Sequence, residues 1–306
     1  MNTQVILGDA TLTKTEKIRQ LLALGLTRSE VAALTGGNYG FVQNVFAKYW
    51  PERVTSKKAF TFTTFNRKFG IEIEAHGVNP VQLAAALRNA GIECRTEGYN
   101  HTTRNHWKTV SDGSVQGTDT FELVSPILEG LQGLEQVKTV CRVLSQLRAK
   151  INKTCGLHIH FDAEGFGLDQ MKNMVVNYAH YEGIIDSFMP TSRRADNNTY
   201  CKSITNLARL VRVTHTIRDL VGLQSSRFYK MNLQAYLRHQ TIEFRQHSGT
   251  VEFEKISNWI LFLHNLVEYS KKKQVTQEEA SFESLSKFQQ PEIINYLQTR
   301  INQLAA

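Results

Sequence analysis

The chain has 306 residues, 41% of them hydrophobic, and a formal net charge of +8. That size and apolar fraction suffice for one sizeable core with a smaller unit beside it. The longest apolar stretch, Trp259 to Leu263, is cut by His264 and Asn265 and falls far short of a bilayer span. The amino terminus lacks the basic start and apolar run of a secretory signal, so a soluble cytoplasmic protein with no membrane partner is expected. Four cysteines, at 94, 141, 155 and 201, show no Cys-x-x-Cys spacing, which favours reduced thiols over disulfides or a zinc knuckle.

Charge is unevenly placed. Residues 1 to 68 hold ten Lys or Arg against four Asp or Glu, a net +6, while the remainder holds 26 against 24. A short basic terminal unit suits an acidic partner, and nucleic acid is the commonest. Within it, Ile18, Leu21, Leu22 and Leu24 follow helical spacing, Gly25 stops the helix, and Thr27-Arg28-Ser29-Glu30 reads as a capping box opening a second. That helix ends at Gly36-Gly37. A third begins near Asn38, with Phe41, Val42, Val45, Phe46 and Tyr49 on one face and Gln43, Asn44 and Lys48 on the other. Three short helices so spaced, in a domain over 1–52, resemble the helix-turn-helix domains of DNA-binding regulators and recombinases. The resemblance implies that Asn38, Tyr39, Gln43, Asn44 and Lys48 face bases and phosphates, with residues 1–60 as the route to a nucleic-acid partner. A helical docking or dimerisation module is the alternative. Pro51 closes the unit, and 53–68 reads as a linker.

From Phe69 to the end, a single domain over 69–306 is expected. Pattern predicts strands near 69–76, 92–97, 106–111, 119–124, 155–162 and 240–247, and helices near 80–90, 130–150, 168–189, 202–221, 252–271 and 291–303. Strands and helices mix without strict β-α-β alternation, which gives an α+β class with an antiparallel or mixed sheet backed by helices.

Chemistry concentrates where alternation is strictest. In Phe69 to His76, the apolar Phe69, Ile71 and Ile73 point one way and Glu72, Glu74 and His76 the other. Leu157-His158-Ile159-His160-Phe161-Asp162 and Ile242-Glu243-Phe244-Arg245-Gln246-His247 repeat the pattern, and Thr120-Phe121-Glu122-Leu123 adds one more inward carboxylate. A solvated sheet face would show Thr, Ser, Lys and Gln. Carboxylates about 7 Å apart along a strand repel, so a face of Glu, His and Arg makes best sense with a cation over it.

In chain order the motifs are Gly70-Ile71-Glu72-Ile73-Glu74, Ser111-Asp112-Gly113-Ser114, Phe121-Glu122-Leu123-Val124-Ser125-Pro126, Cys155-Gly156-Leu157-His158-Ile159-His160 and Thr241-Ile242-Glu243-Phe244-Arg245. The series, over about residues 69 to 270, resembles the amidoligase family of carboxylate-amine ligases related to glutamine synthetase and glutamate-cysteine ligase. The resemblance implies a glutamine-synthetase-like curved antiparallel sheet holding ATP and two Mg²⁺ ions. It also implies the reaction: a substrate carboxylate takes the γ-phosphoryl group of ATP, and an amine then displaces phosphate to leave an amide. Glu72, Glu74, Glu122, His158 and Glu243 are the implied metal ligands. His160 would contact nucleotide or substrate carboxylate, Arg245 the transferring phosphoryl group, and Asp112 the amine. Arg227, Lys230 and Asn232 would bind phosphate or carboxylate.

For several of these residues a plainer account competes. Asp112 also fits an Asx turn, Arg227 and Lys230 a solvated stretch, and Arg193 and Arg194 a surface loop; His76 sits near a strand end, and His101 and His106 read as loop histidines. Two other functions compete as well. A zinc hydrolase would use His-x-His with carboxylates, but four carboxylates and an Arg exceed its needs. A DNA-binding regulator with an inactive ligand-sensing domain would be expected to have lost some of these charged groups, and all are present.

Overall fold

The computed structural model describes residues 3–50 and 64–305. The chain divides into two compact units, Met1–Ala59 and Phe60–Ala306. Residues 53–63 of the expected linker lie outside the described residues.

The first unit has four short helices: α1 (Thr3–Gly8), α2 (Lys14–Ala23), α3 (Arg28–Leu34) and α4 (Tyr39–Tyr49). The expected capping box closes around Thr27 and Glu30, and a second, unexpected one around Thr13 and Glu16; each satisfies two amides at a helix start. Helices this short are marginal alone, and packing of Ile6, Ile18, Leu21, Leu22, Val31, Val42 and Val45 holds them together. α1, six residues long, offers too little periodicity to be found from sequence. Asn38 caps α4 by accepting from the Gly40 amide at 2.7 Å. Of the expected apolar face of α4, Val42 and Val45 are buried, while Phe41 and Tyr49 are 43% and 39% exposed.

In the second unit, one eight-stranded sheet runs in the order β2-β3-β4-β1-β6-β8-β7, with β5 pairing the start of β1. The strands are β1 (Lys68–Ala75), β2 (Cys94–Thr96), β3 (Trp107–Val110), β4 (Phe121–Val124), β5 (Leu128–Glu129), β6 (Gly156–Asp162), β7 (Met231–Asn232) and β8 (Thr241–Ser248). The edge pair β2–β3 is parallel and every other pairing is antiparallel. Between and after the strands come α5 (Pro80–Asn89), α6 (Gly130–Gln146), α7 (Leu168–Ser187), α8 (Leu207–Leu210), α9 (Ile217–Gly222), α10 (Gln234–His239), α11 (Phe253–Ser270), α12 (Phe282–Ser286) and α13 (Pro291–Ala305). This is the expected α+β class.

Alternation decides which face meets the helices. Phe69, Ile71, Ile73, Leu157, Ile159, Phe161, Ile242 and Phe244 are buried in one core with apolar residues of α5, α6, α7 and α11. Each such side chain contributes about 1.5–3 kcal/mol on burial. Their strand neighbours are thereby turned to the opposite face.

Three expectations need correction. The helix expected over 202–221 is broken into α8, a 3-10 turn at Val211–Val213 and α9, because Thr214 to Thr216 interrupts it and Thr216 caps a new start with Asp219. The expected linker ends too late. Phe65 packs on Phe69, and Arg67 is ion-paired with Glu268; a Cβ on Gly130 (φ +51°) would come within 2.5 Å of the Phe65 carbonyl oxygen. The alternation of β8 is also interrupted. Ile159 pairs with Phe244 and Leu157 with His247, so Arg245 and Gln246 together oppose His158 in a β-bulge. Past it, His247 faces the helices, 5.6 Å from the Trp259 ring, and burial pushes its pKa down to about 4.

Candidate active site

Register assembles the polar face. Antiparallel pairing sets Glu72 opposite His158, Glu74 opposite Glu122, His160 opposite Glu243, and Asn232 opposite Glu243. Opposed residues share a face about 5 Å apart, so strands β1, β4, β6, β7 and β8 contribute to one cluster. Asp112, from the β3–β4 loop, joins Glu74 and Glu122.

His158 sits between two carboxylates, its Nδ1 2.9 Å from Glu72 Oε2 and its Nε2 3.7 Å from Glu74 Oε1. The Gly156 amide donates to Glu74 Oε2 at 2.6 Å. A Cβ at 156 would lie 2.8 Å from His158 Nε2 and 3.3 Å from Glu74 Oε2, so glycine leaves room for both side chains. His160 Nε2 is 3.3 Å from Glu72 Oε1, and Thr241 Oγ1 fixes its Nδ1 at 3.1 Å. Glu243 is ion-paired with Arg245 and accepts from Asn232 Nδ2 at 2.6 Å.

Three groups of side chains could each hold a cation: Glu72-His160-Glu243, Glu72-His158-Glu122 and Glu74-Asp112-Glu122, with the ligand atoms of each within 4.8 Å of one another. Oxygen ligands about 2.1 Å from a Mg²⁺ stand about 4 Å apart across it, so these spacings fit. Successive groups share Glu72 and then Glu122. The donors are hard carboxylate oxygens with some imidazole, and the last group is all oxygen.

Electrostatics differ along the row. Burial opposes ionisation of Glu72, but bonds with His158 and His160 hold its carboxyl well below the usual range. Burial likewise opposes Glu243, and Arg245 with His160 brings it below its ordinary value. Desolvation works against protonated His160, yet Glu243 and Glu72 raise it. Glu122 is the opposite case: burial, then repulsion from Glu72, Glu74 and Asp112, pushes it well above a normal carboxylate. Buried Arg245 Nε has no hydrogen-bond partner among the described residues.

The other expected residues fall in various places. Asp112 Oδ1 accepts from Ser114 N and Oγ at 2.7 and 2.6 Å, an Asx turn that presents its carboxylate to Glu74 and Glu122. Asn232 has both polar atoms engaged, with Glu243 and with the Gln234 amide, and so positions the Glu243 carboxylate. Lys230 is corrected outright: it is fully buried, bonded to Glu182 Oε1 at 2.8 Å and Asp186 Oδ1 at 2.7 Å, and ties β7 to α7. Arg227 is exposed over the Phe228 ring. Arg193, expected in a surface loop, is buried and donates to the Cys155 carbonyl at 2.6 Å, next to Gly156. His76 leaves the strand to bridge Lys150, and His106 pairs with Glu97.

Two residues near the site escape a reading of the sequence. Arg238 and His239 close α10, and His239 stands 6.5 Å from the His160 ring. Left-handed Gln240 then turns the chain directly into β8, and the only signal for this is a basic pair before a strand. On α4, Asn38, Asn44 and Lys48 are exposed, Tyr39 is half-buried, and Gln43 accepts from Arg28 at 2.6 Å.

Comparison with known proteins places this face in a family. A search of curated proteins returns no match. A solved structure described as a novel glutamine synthase homolog shares 12% identity, with a TM-score of 0.40, over 78% of this chain and 67% of its own. A family model described as "Putative amidoligase enzyme" matches residues 65–267, which include every strand of the sheet and all the residues of the three clusters. The chain belongs to the amidoligase family, and is in general terms a carboxylate-amine ligase.

Proposed function

We propose that the protein is an ATP-dependent ligase that forms an amide through an acyl phosphate. The observation that carries this is the row of three cation-sized groups sharing Glu72 and Glu122, one end of which is made of carboxylates alone, with Glu122 pushed up by burial and by its acidic neighbours. Joining two anions, a triphosphate and a carboxylate, needs this kind of surplus of ligands for divalent ions. Bound there, Mg²⁺ would offset phosphate and carboxylate charge; the all-oxygen Glu74-Asp112-Glu122 group suits it best, and three groups accommodate the two ions with one to spare.

In the first step a carboxylate oxygen of the donor attacks the γ-phosphorus, the bond to the β-phosphate oxygen breaks, and ADP leaves. The amine nitrogen then attacks the acyl carbon, phosphate departs with the former carboxylate oxygen, and the amine gives up a proton. Arg245, anchored by Glu243 and with Nε free, supplies a rigid donor to the transferring group. His160 helps hold the same end, and Asp112 would orient the amine, whose proton passes to the departing phosphate.

A screen for ADP release against panels of carboxylates and amines, with and without Mg²⁺, tests this reading. The Glu243→Gln variant should lose at least about a hundredfold in rate, the scale for a key electrostatic group. Amide product that persists in the variant, or tight zinc binding with no nucleotide effect on melting, rejects it.

Delivery to nucleic acid is a finer proposal. It rests on the exposed Asn38, Asn44 and Lys48 of α4, which follows α3 after a short Gly-containing turn. Between residues 3 and 50 there are five Lys or Arg against three acidic residues, so this unit itself is only +2. Salt-sensitive duplex binding that weakens in Lys48→Ala supports delivery; unchanged binding in that variant removes it.

A further inference from the structure

The interval between α7 and β8 is strongly basic. Residues 197 to 240 contain seven Lys or Arg against one acidic residue, Asp219, which gives +6. Lys230 is neutralised internally by Glu182 and Asp186. The other six cations are exposed and make no ion pair among the described residues.

Three of them are tied to the groove. Lys202 is joined through its backbone to Phe228 and Lys230, and Arg227 lies over the Phe228 ring at 5.5 Å. Arg238 and His239 end α10, and the His239 ring reaches to 6.5 Å from His160. From the far edge of the sheet, the β2–β3 loop brings His101 within electrostatic reach of Arg227, Arg238 and Glu72. That loop is pinned by Lys108, whose Nζ bonds Asn100 O, Asn100 Oδ1 and Thr102 O at 3.1, 2.7 and 2.9 Å. We read these contacts as a ridge of exposed cations, with the Phe228 ring among them, on the segments that border the Glu72-His160-Glu243 group.

We propose that this ridge binds an acidic stretch of polypeptide and that a carboxylate of that polypeptide is the donor ligated in the groove. The inference rests on the ligase reading and names its substrate class. A free amino acid needs one or two cations for its carboxylates, whereas an exposed row leading away from the site fits a polymer held at several points. Unpaired like charges repel one another, and a bound polyanion relieves this. An acidic peptide also carries the carboxylate that the reaction consumes, which a nucleic-acid backbone lacks.

The test uses the full chain and a fluorescein-labelled deca-glutamate peptide, with binding read by anisotropy at low salt. The Lys202→Glu, Arg238→Glu double variant should bind at least about tenfold more weakly, and Arg238→Gln alone about threefold, each at unchanged melting temperature. Should the double variant melt early, the single one decides. Equal affinity in wild type and variants overturns the inference. So does a ten-nucleotide single strand that binds more tightly than the peptide and is lost with the same substitutions, which assigns the ridge to nucleic acid. A wild type that binds the peptide but is not stabilised by Mg·ATP overturns the ligase reading and the substrate with it. Normal Mg·ATP stabilisation with charge-independent peptide binding overturns the inference alone.

Discussion

The two ends of the ligand row are built on opposite principles. At the Glu72-His160-Glu243 end, histidines, Arg245 and Asn232 balance the carboxylates from within, and Glu72 and Glu243 ionise more readily than free glutamate. At the Glu74-Asp112-Glu122 end, carboxylates face carboxylates, and Glu122 resists ionisation. The contrast teaches that the first end is preorganised by the protein, whereas the second would be completed by positive charge from outside. Stability and function should therefore separate along the row.

The largest effect is expected where the balance is broken. Arg245→Ala leaves Glu243 buried beside an absent partner and should cost about 3–5 kcal/mol of stability in urea denaturation; a loss under about 1 kcal/mol would mean the ion pair is not structural. At the other end the sign reverses. Glu122→Gln removes repulsion among buried carboxylates, so without metal the variant should be about 1–2 kcal/mol more stable than wild type at neutral pH. The same variant should bind Mg²⁺ about tenfold more weakly by calorimetry.

The pH dependence distinguishes the ends again. Glu122 is raised in the folded protein, so its contribution is fully present below its unfolded value of 4.5 and is lost as pH rises through the folded one. His160, also raised, behaves likewise from 6.5 upward. Glu72 and Glu243 are lowered, so theirs is present above 4.5 and lost as pH falls through their folded values. In chelator, stability should decline above pH 4.5, and Glu122→Gln should flatten the decline; identical curves would show that Glu122 is not strained. The smallest change expected is in Asn232→Ala, about 1 kcal/mol for the lost bond to Glu243, read as a shift in denaturation midpoint.

How much of this is legible in the sequence follows from the physics of each element. Strict period-two alternation in 69–75 and 157–162 is imposed by a sheet with one buried face, so the sequence alone assigns Glu72, Glu74, His158 and His160 to one side. Glu122 and Glu243 follow for the same reason. Strands β5 and β7, of two residues each, are too short to show a period. Lys230 cannot be distinguished from a phosphate-binding lysine by sequence, because its partners Glu182 and Asp186 come from α7, 48 and 44 residues away. Arg238 and His239 reach the site only through a left-handed Gln240, a conformation with no strong sequence mark.

The bulge in β8 has a further consequence. One added residue lets consecutive positions serve different neighbours: Arg245 meets the polar groove, while Gln246 accepts from Tyr178 at 2.5 Å and donates to Asp186 at 2.5 Å. Deleting Gln246 would mend the ladder and leave both faces correctly populated, yet unfasten the strand that carries the guanidinium from the long helix behind it. A shorter, more regular strand would thus be the poorer tool, since its arginine would be aimed but no longer braced.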